Sequence, residues 1–446
     1  MKILLLSHSG LVTGGAEQCL LEYVDVLVKQ GHKCKVIVPY KGDMTRVLTE
    51  KKVKFVVVGY GWATKPHRQV NQYKLTASTG NSLFRIFQEV DSYKPEVIIT
   101  NTSVIPWGLY AGRTFRIPTI LLVHEILNDK DPSLNMTPSY KDYAEILNKN
   151  TDYVIYNSQF VKNEFSSDIK LPKTSKKILY PLPKIDVVGI NKLYIKNNIE
   201  GILKIAIFGV LAPRKNQIEA IKAAKNLVNQ GVTQFTIDLY GDKDADIRYT
   251  KSLRRFIKEN SLSNYIKIKG YSTNVYETMN QYNVVLSTST YEPFGRTIVE
   301  GQLFGRIVIA NNTGGGTELI NDQTTGLVYK LGYPEDLAEK IKWILDNKSA
   351  ALKLGTIAKT QQTSTFLNDH RYDALTDAID YFAKKGTNAE VVAFDPMRAL
   401  FEYSNQLNRR YRHVYKIFHN KITRFIKSIV VRVLHEAKKL IKRLFF

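Results

Sequence analysis

Twice in this chain, from Lys2 and again from Leu203, a short apolar run breaks into a polar loop and then into residues of helical periodicity. The first instance reads KILLL, then SHSGLVTGGAEQ, then Leu20, Leu21, Val24, Leu27 and Val28 at helical spacing; the second reads LKIAIFG, then the loop VLAPRKNQ, then Ile218, Ala220, Ile221, Ala224 and Leu227. Strand, loop and helix in that order, followed by another apolar run over 34–38, is the βαβ unit of a parallel sheet. Runs over 55–58, 97–100, 119–123 and 153–156 continue the alternation, as do those over 235–240, 266–269, 284–286 and 307–310 in the second half. The restart at Leu203 predicts two doubly wound α/β domains facing a cleft, over 1–182 and 203–385, joined by a linker over 183–202 that follows a basic, Pro-rich stretch over 172–183. Helices are expected over 334–346 and 369–384. Residues 59–82, rich in Gly, Ser, Thr, Gln and Asn, read as an acceptor-facing loop region.

At 446 residues and 44% apolar composition, two sizeable cores are affordable. Cys19 and Cys34 have neither disulfide nor metal-site spacing and fit a reducing cytoplasm. MKILLLSHSG is too short in apolar residues for a signal peptide, and no eighteen-residue apolar window suggests a transmembrane helix. The net charge of +23 is uneven: the last forty residues hold twelve Lys or Arg against the single acid Glu436, about half of the excess. That concentration argues against a nucleic-acid binder, and no RNA or DNA module is recognisable. Val414, Phe418, Ile422, Phe425, Ile429, Val433 and Leu440 make an apolar stripe flanked by Lys421, Lys427, Lys438 and Lys442. A basic amphipathic helical tail is expected over 386–446, lying through 408–446 on an anionic membrane surface.

The stretch STSTYEPFGRTIVEGQLFG, residues 287–305, carries the most chemistry. An apolar run ends in small hydroxyl residues, and a Pro-Phe-Gly loop opens a helix between two carboxylates, Glu292 and Glu300. Open α/β sheets bind ligands at such strand ends, and a helix start with exposed N–H groups suits a phosphate. The acids would repel phosphate and accept hydrogen bonds from neutral hydroxyls instead. Thr297 and Glu300 also have the spacing of a capping box, which would give Glu300 a structural task. In the second-half loop, Arg214 and Lys215 could stabilise charge on a departing diphosphate. Gly14 and Gly15 would let backbone approach an anion, though GxGxxG spacing is absent. NNTGGGTELI repeats the strand, glycine loop, helix theme with Thr317 as its expected N-cap. Asp242, Asp244 and Asp246 alternate like metal ligands but run into a basic helix, so they read as loop and helix-start acids.

The EPFG…E pattern of Glu292 to Glu300 resembles the signature of retaining family 4 glycosyltransferases of the two-domain GT-B fold. The resemblance covers about residues 1–385. It implies that Glu300 holds the ribose hydroxyls of a nucleotide diphosphate sugar, and that Glu292 with the backbone amides of Phe294, Gly295, Arg296 and Thr297 holds the donor sugar. It further implies that Lys215 grips the diphosphate, that His124 sits near the anomeric carbon, and that the Gly14–Gly15 loop borders a glycan or lipid-linked hydroxyl acceptor. The family's diphosphate Arg falls on Val210, a departure for which Arg214 could substitute. No metal or other cofactor is expected, and the basic tail leads one to expect a cytoplasmic enzyme peripheral to the inner face of the membrane. A nucleotide-sugar-binding scaffold without turnover is the alternative that Val210 favours.

Overall fold

A computed structural model describes residues 1–12, 14–64, 72–126, 140–166, 177–181, 187–366 and 369–385. The expected tail over 386–446 and residues 183–186 of the expected linker lie outside the described residues. The first sheet contains β1 (Lys2–Leu6), β2 (Lys33–Val38), β3 (Lys54–Val57), β4 (Val97–Asn101), β5 (Thr119–Val123), β6 (Tyr153–Tyr156) and β7 (Lys177–Ile178). The second contains β8 (Leu203–Phe208), β9 (Phe235–Tyr240), β10 (Ile266–Gly270), β11 (Val284–Ser287), β12 (Ile307–Asn311) and β13 (Leu327–Tyr329). Their orders are β3-β2-β1-β4-β5-β6-β7 and β10-β9-β8-β11-β12-β13, with every pairing parallel. Two doubly wound sheets are therefore what the chain adopts, as its restart at Leu203 predicts.

Both faces of each sheet are covered, so the strands read as continuous apolar runs. In β1, Leu4 and Leu6 enter one core with Trp107, Tyr143 and Val161, while Ile3 and Leu5 enter the opposite one with Leu20 and Val24. Leu375, Ala378, Ile379 and Phe382, from the helix Asp373–Lys385, join this second core of the first domain. In the second domain, Ile205 and Ile207 face one core, and Ala206 and Phe208 the other. Cys19 and Cys34 are buried thiols, both pushed up to about 12 by burial, and act as small apolar groups.

Three expectations need correction. Residues 59–82 are not all loop: a helix runs Gln72–Tyr93, and Leu83, Ile86 and Val90 bury its later turns. Part of the expected linker is built onto the second domain, because Ile190 and Ile199 enter its cores and Asn197 exchanges hydrogen bonds with Asn283 (Nδ2 to Oδ1 3.0 Å; Nδ2 to the Asn283 carbonyl 2.9 Å). Arg306 strengthens that seam, donating from a fully buried guanidinium to the carbonyls of Phe304, Asn280, Tyr282 and Ile195. Finally, the long helix Lys348–Phe366 falls where no element was expected.

Candidate functional site

Strand order reverses between β1 and β4 in one sheet and between β8 and β11 in the other, and polar residues gather beyond the carboxyl ends of these four strands. After β11, the Thr288 hydroxyl donates to the Lys215 carbonyl (2.8 Å), and Thr290 donates to the Arg214 carbonyl through its amide (3.0 Å) and hydroxyl (3.2 Å). These bonds stitch the loop after β8 to the loop after β11. Lys215 ends the single 3-10 turn Pro213–Lys215, and its Nζ lies 2.6 Å from Glu292 Oε2, both side chains more than four-fifths buried. Burial pushes the Glu292 carboxyl up, but Lys215, then Ser289 and Arg214, outweigh it and hold the group below its usual range. Arg214 itself is exposed beside this pair.

The glycines of NNTGGGTELI have a packing reason. Gly315 N–H donates to the Glu292 carbonyl (2.7 Å), and a Cβ on Gly315 would stand 2.3 Å from the Pro293 oxygen. On Gly314 it would stand 2.6 Å from the Glu292 oxygen, and Gly314 has φ +75. Thr317 does not cap this turn, contrary to expectation. Gly314 takes that position, and Thr317 donates its hydroxyl to the Gly314 carbonyl (2.8 Å) from within the turn Gly315–Glu318.

The helix Arg296–Leu303 starts at Gly295, in the left-handed region at φ 105. Thr297 and Glu300 consequently lie inside the helix, and the capping-box reading of Glu300 is excluded. Glu300 is 7% exposed, and its carboxyl lies 3.9 Å from Arg296 Nε and accepts from the Tyr276 hydroxyl. Burial pushes it up to about 7; Arg296 opposes that shift, and Glu22 adds to it. Phe294 is a core side chain, its ring 5.3 Å from that of Tyr180, so any role it has toward a ligand belongs to its backbone.

The Arg296 side chain has partners that the sequence does not announce. Its guanidinium crosses to the first domain, 3.5 Å from Glu22 Oε1, the Gly15 carbonyl and Cys19 Sγ. Gly15 is the residue over which it passes, since a Cβ there would meet Arg296 Cδ at 3.2 Å. Gly14 opens the helix Gly15–Lys29, and Glu17 folds back to accept from the Gly14 amide, so a carboxylate of the chain itself occupies the anion position expected at this loop.

At the end of β5, His124 Nε2 is 2.9 Å from Asn101 Oδ1. The Asn101 amide group donates to the Ala16 carbonyl (3.0 Å), which fixes its oxygen toward His124 and assigns the ring proton to Nε2. Burial, then the neighbouring His8, lowers His124 to about 3, so it is a neutral imidazole whose Nδ1 can accept a hydrogen bond. Sequence reasoning missed two groups nearby. His8 Nε2 lies 3.2 Å from Glu17 Oε1, and Glu125 accepts from the amide (3.1 Å) and hydroxyl (2.8 Å) of Ser103. An acid in the first turn after the glycine pair was the available signal for the first; nothing local marked the second.

The two halves also meet through the helix Gln159–Ser166. Glu318 of the second domain accepts from the amides of Gln159 (2.9 Å) and Phe160, while the Ser158 hydroxyl donates to the Pro293 carbonyl (2.6 Å). An N-terminus in one domain is thus capped by a carboxylate of the other. Asp246 caps the helix Ile247–Glu259 through Tyr249 N (2.9 Å), and Asp242 Oδ1 accepts from Asp244 N (2.9 Å), both loop and helix-start duties. At Val210, the carbonyl accepts from Gln217 Nε2 (2.9 Å).

A family model described as Glycosyltransferase Family 4 matches residues 13–181, and one described as Glycosyl transferases group 1 matches residues 192–361. The chain belongs to the family 4 glycosyltransferases. It is 28% identical over 257 residues to an uncharacterized glycosyltransferase of Methanocaldococcus jannaschii, covering 56% of this chain and 65% of that one. It is 25% identical over 150 residues to the poly(ribitol-phosphate) alpha-N-acetylglucosaminyltransferase of Staphylococcus aureus, covering 33% of this chain and 29% of the relative. The matches therefore span less than two thirds of these relatives' own lengths. An Anabaena protein solved in complex with UDP and glucose superposes with a TM-score of 0.68 at 24% identity, over 86% of this chain and 100% of that one. That likeness gives the GT-B fold.

A titration test follows from the burial of Glu300. A carboxyl at about 7 when folded and about 4.3 when unfolded keeps its proton longer in the folded state, so it takes stability away as pH rises between those values. Thermal melts of Glu300→Gln and the parent protein should show a difference in favour of the variant that is smallest near pH 4 and levels off above pH 7. A difference independent of pH would contradict this environment for Glu300.

Proposed function

We propose that the protein is a retaining glycosyltransferase that moves a sugar from a nucleoside diphosphate donor to a hydroxyl acceptor without a metal ion. The observation that carries this reading is the Lys215–Glu292 pair, 2.6 Å apart at the strand-order reversal of the second sheet, with the buried carboxyl of Glu300 one helical stretch away. On donor binding, Lys215 leaves Glu292 for the diphosphate, assisted by exposed Arg214. Glu292 then accepts from donor-sugar hydroxyls, and the amides of Phe294, Gly295, Arg296 and Thr297 face the donor. Glu300 accepts from the ribose hydroxyls. The anomeric carbon–phosphate oxygen bond breaks as the bond to the acceptor oxygen forms on the same face, and the acceptor proton passes to the departing phosphate. Neutral His124 accepts from a sugar hydroxyl beside that centre, while the Gly14–Gly15 loop borders the acceptor. Lys215 meets charge that grows as the bond breaks, so its effect falls on turnover.

Lys215→Ala should lower kcat about 100-fold with donor KM changed much less. In the same assays, with UDP- and GDP-sugars as donors, proton NMR should show the donor's anomeric configuration in the product, and EDTA should leave the rate unchanged. Loss of activity on chelation, restored by manganese or magnesium, would overturn the metal-independent reading and return attention to Asp242 and Asp244. Donor hydrolysis and transfer both absent, with nucleotide binding intact, would favour the scaffold reading that Val210 suggests.

The acceptor we infer is a cell-envelope glycan or lipid-linked sugar, on the cytoplasmic side of a membrane. The name of the staphylococcal relative, a transferase acting on poly(ribitol-phosphate), supports this, as does the basic, apolar-striped composition of residues 408–446. Among the described residues no helix is long and apolar enough to cross a membrane. Each Lys or Arg near an anionic surface contributes about 1 kcal/mol. The full chain should therefore sediment with anionic liposomes and a chain ending at Gly386 should not; equal partitioning of the two would end the membrane assignment.

A further inference from the structure

Three charged side chains run in a line across the domain boundary beneath the donor site. Glu22, on the first helix of the first domain, has Oε1 3.5 Å from Arg296 Nη2, and Arg296 Nε is 3.9 Å from Glu300 Oε1. All three side chains are about nine-tenths buried, at 9%, 11% and 10% exposure. One guanidinium thus stands between two carboxylates that compete for it, and whatever draws Arg296 toward one acid leaves the other less compensated. The remaining titratable groups around the line supply no positive charge near neutral pH. Tyr276 donates to Glu300, the Cys19 thiol and Tyr23 hydroxyl on the first helix are pushed up by burial, and His124 is neutral.

We propose that Glu22 and Arg296 are positioning residues for Glu300: the first domain, through Glu22, sets where Arg296 sits and thereby how strongly Glu300 accepts hydrogen bonds from the ribose hydroxyls of the donor. Donor affinity is then coupled to docking of the two domains by a side-chain relay, with no movement of the main chain required. The inference rests on the donor reading given above, in which Glu300 takes the ribose diol. A diol needs the carboxylate, because a protonated carboxyl gives up acceptor capacity for a donor. Burial pushes Glu300 up to about 7, with Arg296 opposing and Glu22 reinforcing, so the relay operates within the ordinary pH range.

Calorimetric titration with UDP from pH 5 to 8 tests this on the full chain. In the parent protein, affinity should fall as pH drops through about 7. Glu22→Gln releases Arg296 to Glu300 and should move that midpoint down by about half a unit, making UDP bind about threefold more tightly at pH 6. Arg296→Gln should move it up, with about tenfold weaker binding at pH 6, and Arg296→Lys should restore part of the loss. Binding of 2′,3′-dideoxy-UDP should be weaker and indifferent to all three changes. Glu22→Gln and Arg296→Lys keep the test decisive if Arg296→Gln fails to fold. Unmoved midpoints in folded variants, or equal effects on UDP and its dideoxy analogue, would overturn the relay. Failure of the parent protein to bind either UDP or GDP would instead contradict the donor reading on which it rests.

Discussion

The site depends first on a close approach of two backbones. The loop from Glu292 to Phe294 lies against Gly314 and Gly315 at distances that admit no Cβ, and a hydrogen bond from Gly315 to the Glu292 carbonyl closes the contact. Side chains then brace the loop from both domains. Ser158 of the first domain donates to Pro293, and Glu318, the last residue of the glycine turn, caps a first-domain helix. With the loop braced from below and across the cleft, Glu292 is held 2.6 Å from Lys215. Such preorganisation is what electrostatic stabilisation of a leaving group requires.

A second constraint is charge in a poorly solvated crevice. Three of the acids here are compensated in a pair or a chain: Glu292 by Lys215, and Glu22 and Glu300 together by Arg296. The consequences differ with the count. Burial raises both carboxyls, but Lys215, with Ser289 and Arg214, holds Glu292 below its usual range, whereas burial opposed by an Arg296 shared with Glu22 leaves Glu300 high. An unpaired charge at these depths would be costly, and each pair therefore fixes its partners' positions as well as their protonation.

Much of the fold was legible because buried parallel strands are uninterrupted apolar runs: β5, β6 and β9 fall where the sequence put them, and so does the helix Pro334–Asp346. The two-residue β7 and three-residue β13 are too short to show a period. The helix Gln72–Tyr93 was hidden by its polar, Gly-containing sequence, whose low intrinsic propensity is overridden by the burial of Leu83, Ile86 and Val90. At the site, the motif pointed to Glu292, Glu300 and Lys215, and the structure brings the first and last of these into contact. The capping-box spacing misled because Gly295, at positive φ, opens the helix two residues before Thr297. The side-chain partners of Arg296 were illegible for a different reason. Its partner Glu22 lies 274 positions away, and no local pattern could announce it.

The central claim is that Lys215 exchanges Glu292 for a donor diphosphate. A crystal structure of the complex with a nucleoside diphosphate measures this directly, through the Lys215 Nζ to Glu292 Oε2 separation, 2.6 Å in the structure described above. This distance should open beyond about 4 Å, the limit of an ion pair, with Nζ on a phosphate oxygen and the ribose hydroxyls on Glu300. A nucleotide bound elsewhere, or one bound in the cleft with the Lys215–Glu292 pair intact, would contradict it.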